Sequence, residues 1–172
     1  ELDRLMRIIM DEGNKIKSYI SMVNSFNSNI TLENEYSNIH KCLNKSFDLI
    51  ICNHVLEHID DDIKALKEIF RVLRSGGVAI LQVPINFKRN ETFEDQSIIS
   101  KKDRERYFGQ YDHVREYGLD FKERVEKAGF EIEMVYYTEN FSEEMKLKYG
   151  LQKNDVIPIA RDLIEMGFQL VA

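Results

Sequence analysis

His54, Glu57 and His58 place two imidazoles and a carboxylate within one short stretch, and Asp112, His113 and Arg115 place an acid, a base and a cation within another. An imidazole titrates near neutrality and is the side chain best suited to accept a proton. A carboxylate beside it can orient it, and a guanidinium fork can hold an acidic group on a substrate. His113 is therefore a candidate general base, Asp112 its orienting partner, and Arg115 a candidate anchor. The competing reading of this loop is a segment stapled by its own salt bridges and aromatic packing. The two are weighed evenly, because Tyr107 to Gly118 carries more polar and aromatic groups than packing needs. In the first set, Glu57 and His58 precede a helix, where an acid favours the dipole and a histidine completes turn hydrogen bonds. That structural reading is preferred. One carboxylate and two imidazoles suffice chemically for a divalent ion, but the spacing of His54, Glu57 and His58 is loose, and no metal is assigned.

The elements that must position these groups follow from hydrophobic patterning. Phe47 to Cys52 is a near-continuous apolar run, as expected for a strand covered on both faces. Asp60 to Asp62 offer an N-cap and acids for the next helix. Ile63, Leu66, Ile69, Phe70 and Leu73 then recur at helical spacing, and Gly76-Gly77 is expected to stop the helix. Val78 to Val83 is a second buried strand closed by Pro84. Strand, helix and strand of this length imply a right-handed parallel βαβ unit. In open α/β sheets the ligand lies beyond the carboxyl ends of the strands. Cys52-Asn53-His54 and Val83-Pro84-Ile85 leave the sheet there, side by side.

Around this unit, Leu2, Leu5, Met6, Ile9, Ile16, Tyr19, Ile20 and Val23 form one apolar stripe, expected to be a helix interrupted near Gly13. Asn24 to Asn29 reads as a loop, and Ile30 to Leu32 as a short strand. Asn86 to Lys102 is polar and aperiodic. Leu119, Phe121, Val125 and Ala128 give a second crossover helix stopped by Gly129, and Phe130 to Tyr137 a third strand. Val156 to Ala160 is expected to pair with it, its internal proline suggesting an edge or a bulge. The organisation expected is a helical segment over 1–29 and an α/β domain over 30–172.

At 172 residues the chain is long enough for one domain with a real core. A net charge of -6 argues against a nucleic-acid footprint, which needs a basic face. No apolar run approaches the roughly 18–20 residues of a membrane helix. Cys42 and Cys52 lack CxxC spacing, which suggests free thiols and a cytoplasmic setting.

The run FDLIICNHVLEHIDDDIKALKEIFRVLRSGGVAILQVP, Phe47 to Pro84, closely resembles the second half of the class I S-adenosylmethionine (SAM)-dependent methyltransferase domain. Val55-Leu56-Glu57-His58, the RVLRSGG run and the strand-ending Pro84 carry the likeness. The resemblance implies a Rossmann-like α/β sheet, a methyl transfer to a small-molecule or glycan acceptor, and SAM as cofactor. It implies that Asn53 and His54 face the cofactor, with Val55 next along the wall and Pro84 beside them. The string YFGQYDHVREYG, Tyr107 to Gly118, resembles a subgroup in which it walls the acceptor pocket. On that likeness Tyr107, Gln110, Arg115 and Tyr117 bind substrate, and His113 with Asp112 is catalytic.

The family's cofactor loop, acid-x-Gly-x-Gly, has no counterpart here, because Gly13 is the only glycine before Gly76. The amino-terminal half of the sheet is therefore expected to be truncated or replaced by the Leu2–Val23 helix. The alternative function is an inactive remnant of the fold serving as a binding or regulatory module. Without the strand that normally flanks Phe47–Cys52, that strand would present an exposed edge. Either the chain's own Ile30–Leu32 segment and Leu2–Val23 helix or a second copy must cover it, and a homodimer with this helix at or near the interface is the favoured expectation.

Overall fold

The computed structural model describes residues 19–23 (as backbone), 43–151 and 156–162. Their centre is the βαβ unit expected from the apolar runs. Strand β2, Phe47–Asn53, leads through a 3-10 turn at Leu56–His58 into helix α1, Asp62–Val72, and returns as β3, Leu73–Gln82. Strands β2 and β3 are adjacent and parallel, with Ile50 opposite Ala79 and Cys52 opposite Leu81. Asp61 caps α1 by accepting from the Lys64 amide at 2.9 Å. The helix lays Ala65, Leu66, Ile69 and Val72 on the sheet. Alternation along β2 sends Ile50 and Cys52 into that main core and Leu49 to a smaller cluster with Ile80, Val135 and Ile159 on the opposite face.

Gly76-Gly77 does not stop the helix. Helix α1 ends at Val72 and β3 begins at once; the glycines lie inside β3, where the pairing slips from Phe47–Leu73 to Leu49–Val78. Gly76 takes φ +75°, and a Cβ on Gly77 would come within 2.8 Å of the Arg74 carbonyl. The pair is needed to fold this bulge, which is a close backbone approach and not a helix cap.

The segment Tyr19–Val23 is a strand, β1, paired in parallel with β2 from Tyr19–Leu49 to Val23–Asn53. This corrects the helix expected to run to Val23, and β1 joins the same sheet despite the boundary drawn at residue 29. Tyr, Ile, Met and Val suit a strand as well as a helical stripe, and pairing with β2 decides between them. It also covers this edge of β2 within the chain, the intramolecular alternative to a second copy. The rest of the expected helix, the Ile30–Leu32 strand and the glycine-poor segment before Phe47 lie outside the described residues, as does Leu163 to Ala172.

After β3, the polar stretch carries β4, Phe93–Glu94, which pairs antiparallel with β5, Arg115–Glu116, as a small separate ribbon. Between them helix α2, Lys101–Phe108, is capped by Ser100 and ends at Gly109 with φ +87°. Helix α3, Phe121–Glu126, then leads to β6, Glu131–Val135, and helix α4, Glu143–Tyr149, precedes β7, Ile157–Arg161. The sheet order is β1-β2-β3-β7-β6, with β7 antiparallel to both neighbours. The expected β6–β7 pairing is present, but β7 is an interior strand, not an edge. Its proline is tolerated because β3 pairs only as far as Ile159, one residue short of Pro158. Among the described residues no helix is long and apolar enough to cross a membrane.

Candidate functional site

At the carboxyl ends of β2 and β3 the chain turns sharply. The His54 amide donates to the Gln82 carbonyl at 2.8 Å, extending the parallel ladder by one rung, and His54 itself takes φ +54°. This left-handed residue breaks the strand and starts the turn that carries Glu57 and His58. Opposite lies the segment from α2 to β5, tied to the turn by the Val114 amide donating to the Glu57 carbonyl at 2.9 Å.

Between them is a cavity of about 560 Å³, lined among others by Asn53, His54, Pro84, Gln110, His113 and Arg115. Four residues assigned to the site are not among those that line the cavity: Asp112, beside Gln110 and His58, and three that lie elsewhere. Val55 is 1% exposed and packs in the main core. Tyr107 is exposed and packs against Phe93, with Arg106 over its ring. Tyr117 is fully buried, its hydroxyl donating to Asp62 at 2.9 Å. Arg115 reaches the cavity wall, but its guanidinium is engaged within the protein. It donates to the carbonyls of Leu56, Ile59 and Asp60 and to Glu94. The same helix end holds Asp62, which accepts from Arg124 at 2.7 and 2.9 Å. This network fixes the loop bearing His113 to the turn bearing Glu57.

Sequence residues 8–135 match the protein family described as the methyltransferase domain. The chain belongs to this family. It is a class I methyltransferase domain with a Rossmann-like sheet. Among solved structures it is similar to a SAM-dependent methyltransferase from Archaeoglobus fulgidus, at 13% identity and TM-score 0.48, over 92% of this chain and 80% of that one. It is also similar to an S-adenosylmethionine-dependent methyltransferase from Mesorhizobium loti, at 16% identity and TM-score 0.46, over 70% and 63% of the two chains. A third is the Burkholderia thailandensis 1,6-didemethyltoxoflavin N1-methyltransferase with bound 1,6-didemethyltoxoflavin and S-adenosylhomocysteine, at 18% identity and TM-score 0.43, over 69% and 45%. The chain thus spans less than two thirds of the second and third. No curated protein matches the chain.

Within the methyltransferase domain, the histidines differ in their surroundings. His113 is buried, and its Nδ1 lies 3.1 Å from the Phe108 carbonyl. A carbonyl can only accept, so Nδ1 carries the proton and Nε2 keeps its lone pair when the ring is neutral. The hydrogen bond from His54 Nδ1 to Glu57 Oε1, 3.2 Å long, raises the His54 pKa above its ordinary value, burial working against it. Burial lowers that of His58, which stays neutral more readily. Asp112 does not orient His113 as expected. Its carboxylate accepts from Gln110 at 2.8 Å and lies 3.5 Å from His58 Nδ1.

Two buried oxygens at the cavity, Asn53 Oδ1 and Glu57 Oε2, have no hydrogen-bond partner among the described residues. Buried acceptors are ordinarily satisfied, so each calls for a donor or a cation. From sequence alone Glu57 and His58 read as parts of a turn, and nothing marks Ile85, Asn86 and Phe108 as further cavity-lining residues. No local pattern signals these. The ring contact of His58 with His113, at 4.7 Å between centroids, joins positions in different loops.

Proposed function

We propose that the chain is a SAM-dependent methyltransferase acting on a small-molecule acceptor. The observation that carries this reading is the cavity beyond the carboxyl ends of β2 and β3, with Asn53, His54 and Pro84 on the sheet side and Gln110 and His113 across from them. Its volume falls in the range usual for small-molecule sites.

SAM, when bound, supplies a methyl group on a sulfonium. The residues present fit it at one point in particular: Asn53 offers a buried acceptor, without a partner among the described residues, for an N–H. His54 and Pro84 form the neighbouring wall. Gln110, braced by Asp112, and His113 then face the acceptor. Methyl transfer is an in-line displacement, so holding the acceptor in line is the main task of that wall. Where the acceptor carries a proton, His113 Nε2 accepts it.

Calorimetric titration of the chain with SAM and with its demethylated product tests the reading. Binding in the micromolar range or weaker is expected, because the sequence offers no glycine loop. Asn53→Ala should weaken SAM by about two- to tenfold, the value of one hydrogen bond. With an acceptor that the chain methylates in hand, His113→Ala should lower turnover by about 10²–10⁴-fold while leaving SAM affinity nearly unchanged. Absence of any SAM binding would end this proposal.

A further inference from the structure

Glu57, His58 and His113 form a cluster that proton transfer alone does not explain. They come from two loops, and one ligand atom of each lies within 4.8 Å of those of the other two. Glu57 is 1% exposed, and its Oε2 has no partner among the described residues. A buried carboxylate oxygen left in this way is costly unless a cation meets it. We propose that Glu57, His58 and His113 bind a zinc-class divalent cation at the floor of the cavity.

The groups behind the three ligands support this. Metal-bound histidines ordinarily give their second nitrogen to a carbonyl or carboxylate, which fixes the ring and its tautomer. His113 does so through Nδ1 to the Phe108 carbonyl, at 3.1 Å, leaving Nε2 as the ligand atom. The Asp112 carboxylate lies 3.5 Å from His58 Nδ1, at ion-pair distance only, with no hydrogen bond between them. Glu57 is steadied through its other oxygen, Oε1, by His54 Nδ1 at 3.2 Å. The network that clamps Arg115 onto the carbonyls of Leu56 and Asp60 holds the two loops in register.

Two imidazoles and one carboxylate favour zinc or its transition-metal neighbours over magnesium or calcium, which prefer all-oxygen shells. Around zinc at about 2.0–2.2 Å, tetrahedral ligand atoms sit about 3.3–3.6 Å apart, so the three must close by about an ångström. Three protein ligands leave a fourth position open, as in catalytic zinc sites. Here that position opens to the cavity, where an oxygen of the acceptor or a water can take it.

The inference rests on the methyl-transfer reading only for what fills the open position; metal binding itself is independent of turnover. In the loaded site the His113 lone pair belongs to the ion, so proton acceptance by His113 describes the metal-free protein.

Zinc ions are the probe, titrated into the untagged, chelator-treated full chain against a chromophoric chelator. One equivalent is expected to bind. Glu57→Gln and His113→Ala should each weaken it at least tenfold, with folding checked by circular dichroism. Should either fail to fold, cobalt(II) in the wild-type chain gives the second readout: visible bands from nitrogen and oxygen ligands without a thiolate charge-transfer band. His40 and Cys42 are the competing donors in the sequence. No stoichiometric zinc, a thiolate band, or zinc lost in Cys42→Ser but kept in Glu57→Gln would each overturn the proposal. SAM binding that persists without zinc would leave the methyl-transfer reading intact in that event.

Discussion

Replacing Arg115 with methionine should unfold this protein far more readily than it should impair ligand binding. The side chain is 2% exposed. Its guanidinium donates to the carbonyls of Leu56 at 2.8 Å, Asp60 at 2.8 Å and Ile59, and to Glu94 at 3.0 Å. Charge-assisted hydrogen bonds contribute about 1.5–3 kcal/mol each. Asp60 is exposed, so its carbonyl regains water after truncation, whereas Leu56 is fully buried and its carbonyl does not. Burying the guanidinium offsets part of the sum, and Glu94 is too exposed to add much. Breaking a buried charged cluster from one side costs about 3–5 kcal/mol, a large share of the roughly 5–15 kcal/mol that holds a domain folded. Urea unfolding followed by circular dichroism measures it directly, the chain having no tryptophan. Arg115→Lys should recover less than half, because one ammonium cannot span three carbonyls and a carboxylate. A loss below about 1 kcal/mol for the methionine variant, or full recovery with lysine, would refute the clamp. It would return Arg115 to the role of a substrate anchor.

Asp62 should control acid stability. Burial pushes its pKa up, but the hydrogen bond from Arg124 and the charges of Arg115 and Arg124 outweigh it, leaving the carboxyl below its ordinary value. Its stabilising contribution is therefore complete above the unfolded value of about 3.9 and is lost as pH falls through the lower, folded value. Asp62→Asn should flatten that acid limb in a circular-dichroism titration, and an unchanged limb would contradict the assignment. Tyr117→Phe removes the 2.9 Å hydrogen bond to Asp62 and should cost about 1.5–3 kcal/mol in the same urea assay. Gly118→Ala would bring a Cβ within 2.7 Å of the Glu91 carbonyl carbon. It should cost about 1–3 kcal/mol, read as a lower Tm, and an unaltered Tm would show that the approach is not that close.

The βαβ core was legible because its signals are local. Two apolar runs, a helical stripe and an acid at the cap each need only a window of neighbouring residues, and β2, α1 and β3 follow them within a residue or two, apart from the early start of β3. Tyr19–Val23 reads equally as helix or strand because its apolar residues satisfy both periods, and only its partner Leu49–Asn53 selects the strand. Gly76-Gly77 reads as a helix stop in sequence, since a bulge and a cap ask for the same residue. At the site, the strand exits and the Gln110–His113 segment could be placed at one sheet edge from topology. What Arg115 and Tyr117 do there could not. Their polar ends meet Leu56, Asp60 and Asp62, more than fifty positions away. A sequence window cannot distinguish a buried arginine from one offered to a substrate. The metal-like cluster was half visible: Glu57 and His58 stood together, but His113 joins them only through folding.

The sheet order also bears on how the chain is made. Strand β7, the last described, inserts between β3 and β6 and pairs with both. As synthesis proceeds from the amino end, the β2–α1–β3 unit can close early. Until residue 157 onward has left the ribosome, β3 keeps one open edge and β6 lacks its only partner among the described strands. The carboxyl-terminal half therefore assembles in one late step and not strand by strand. During that interval the open edge of β3 is where the nascent chain is most exposed to pairing with the wrong partner.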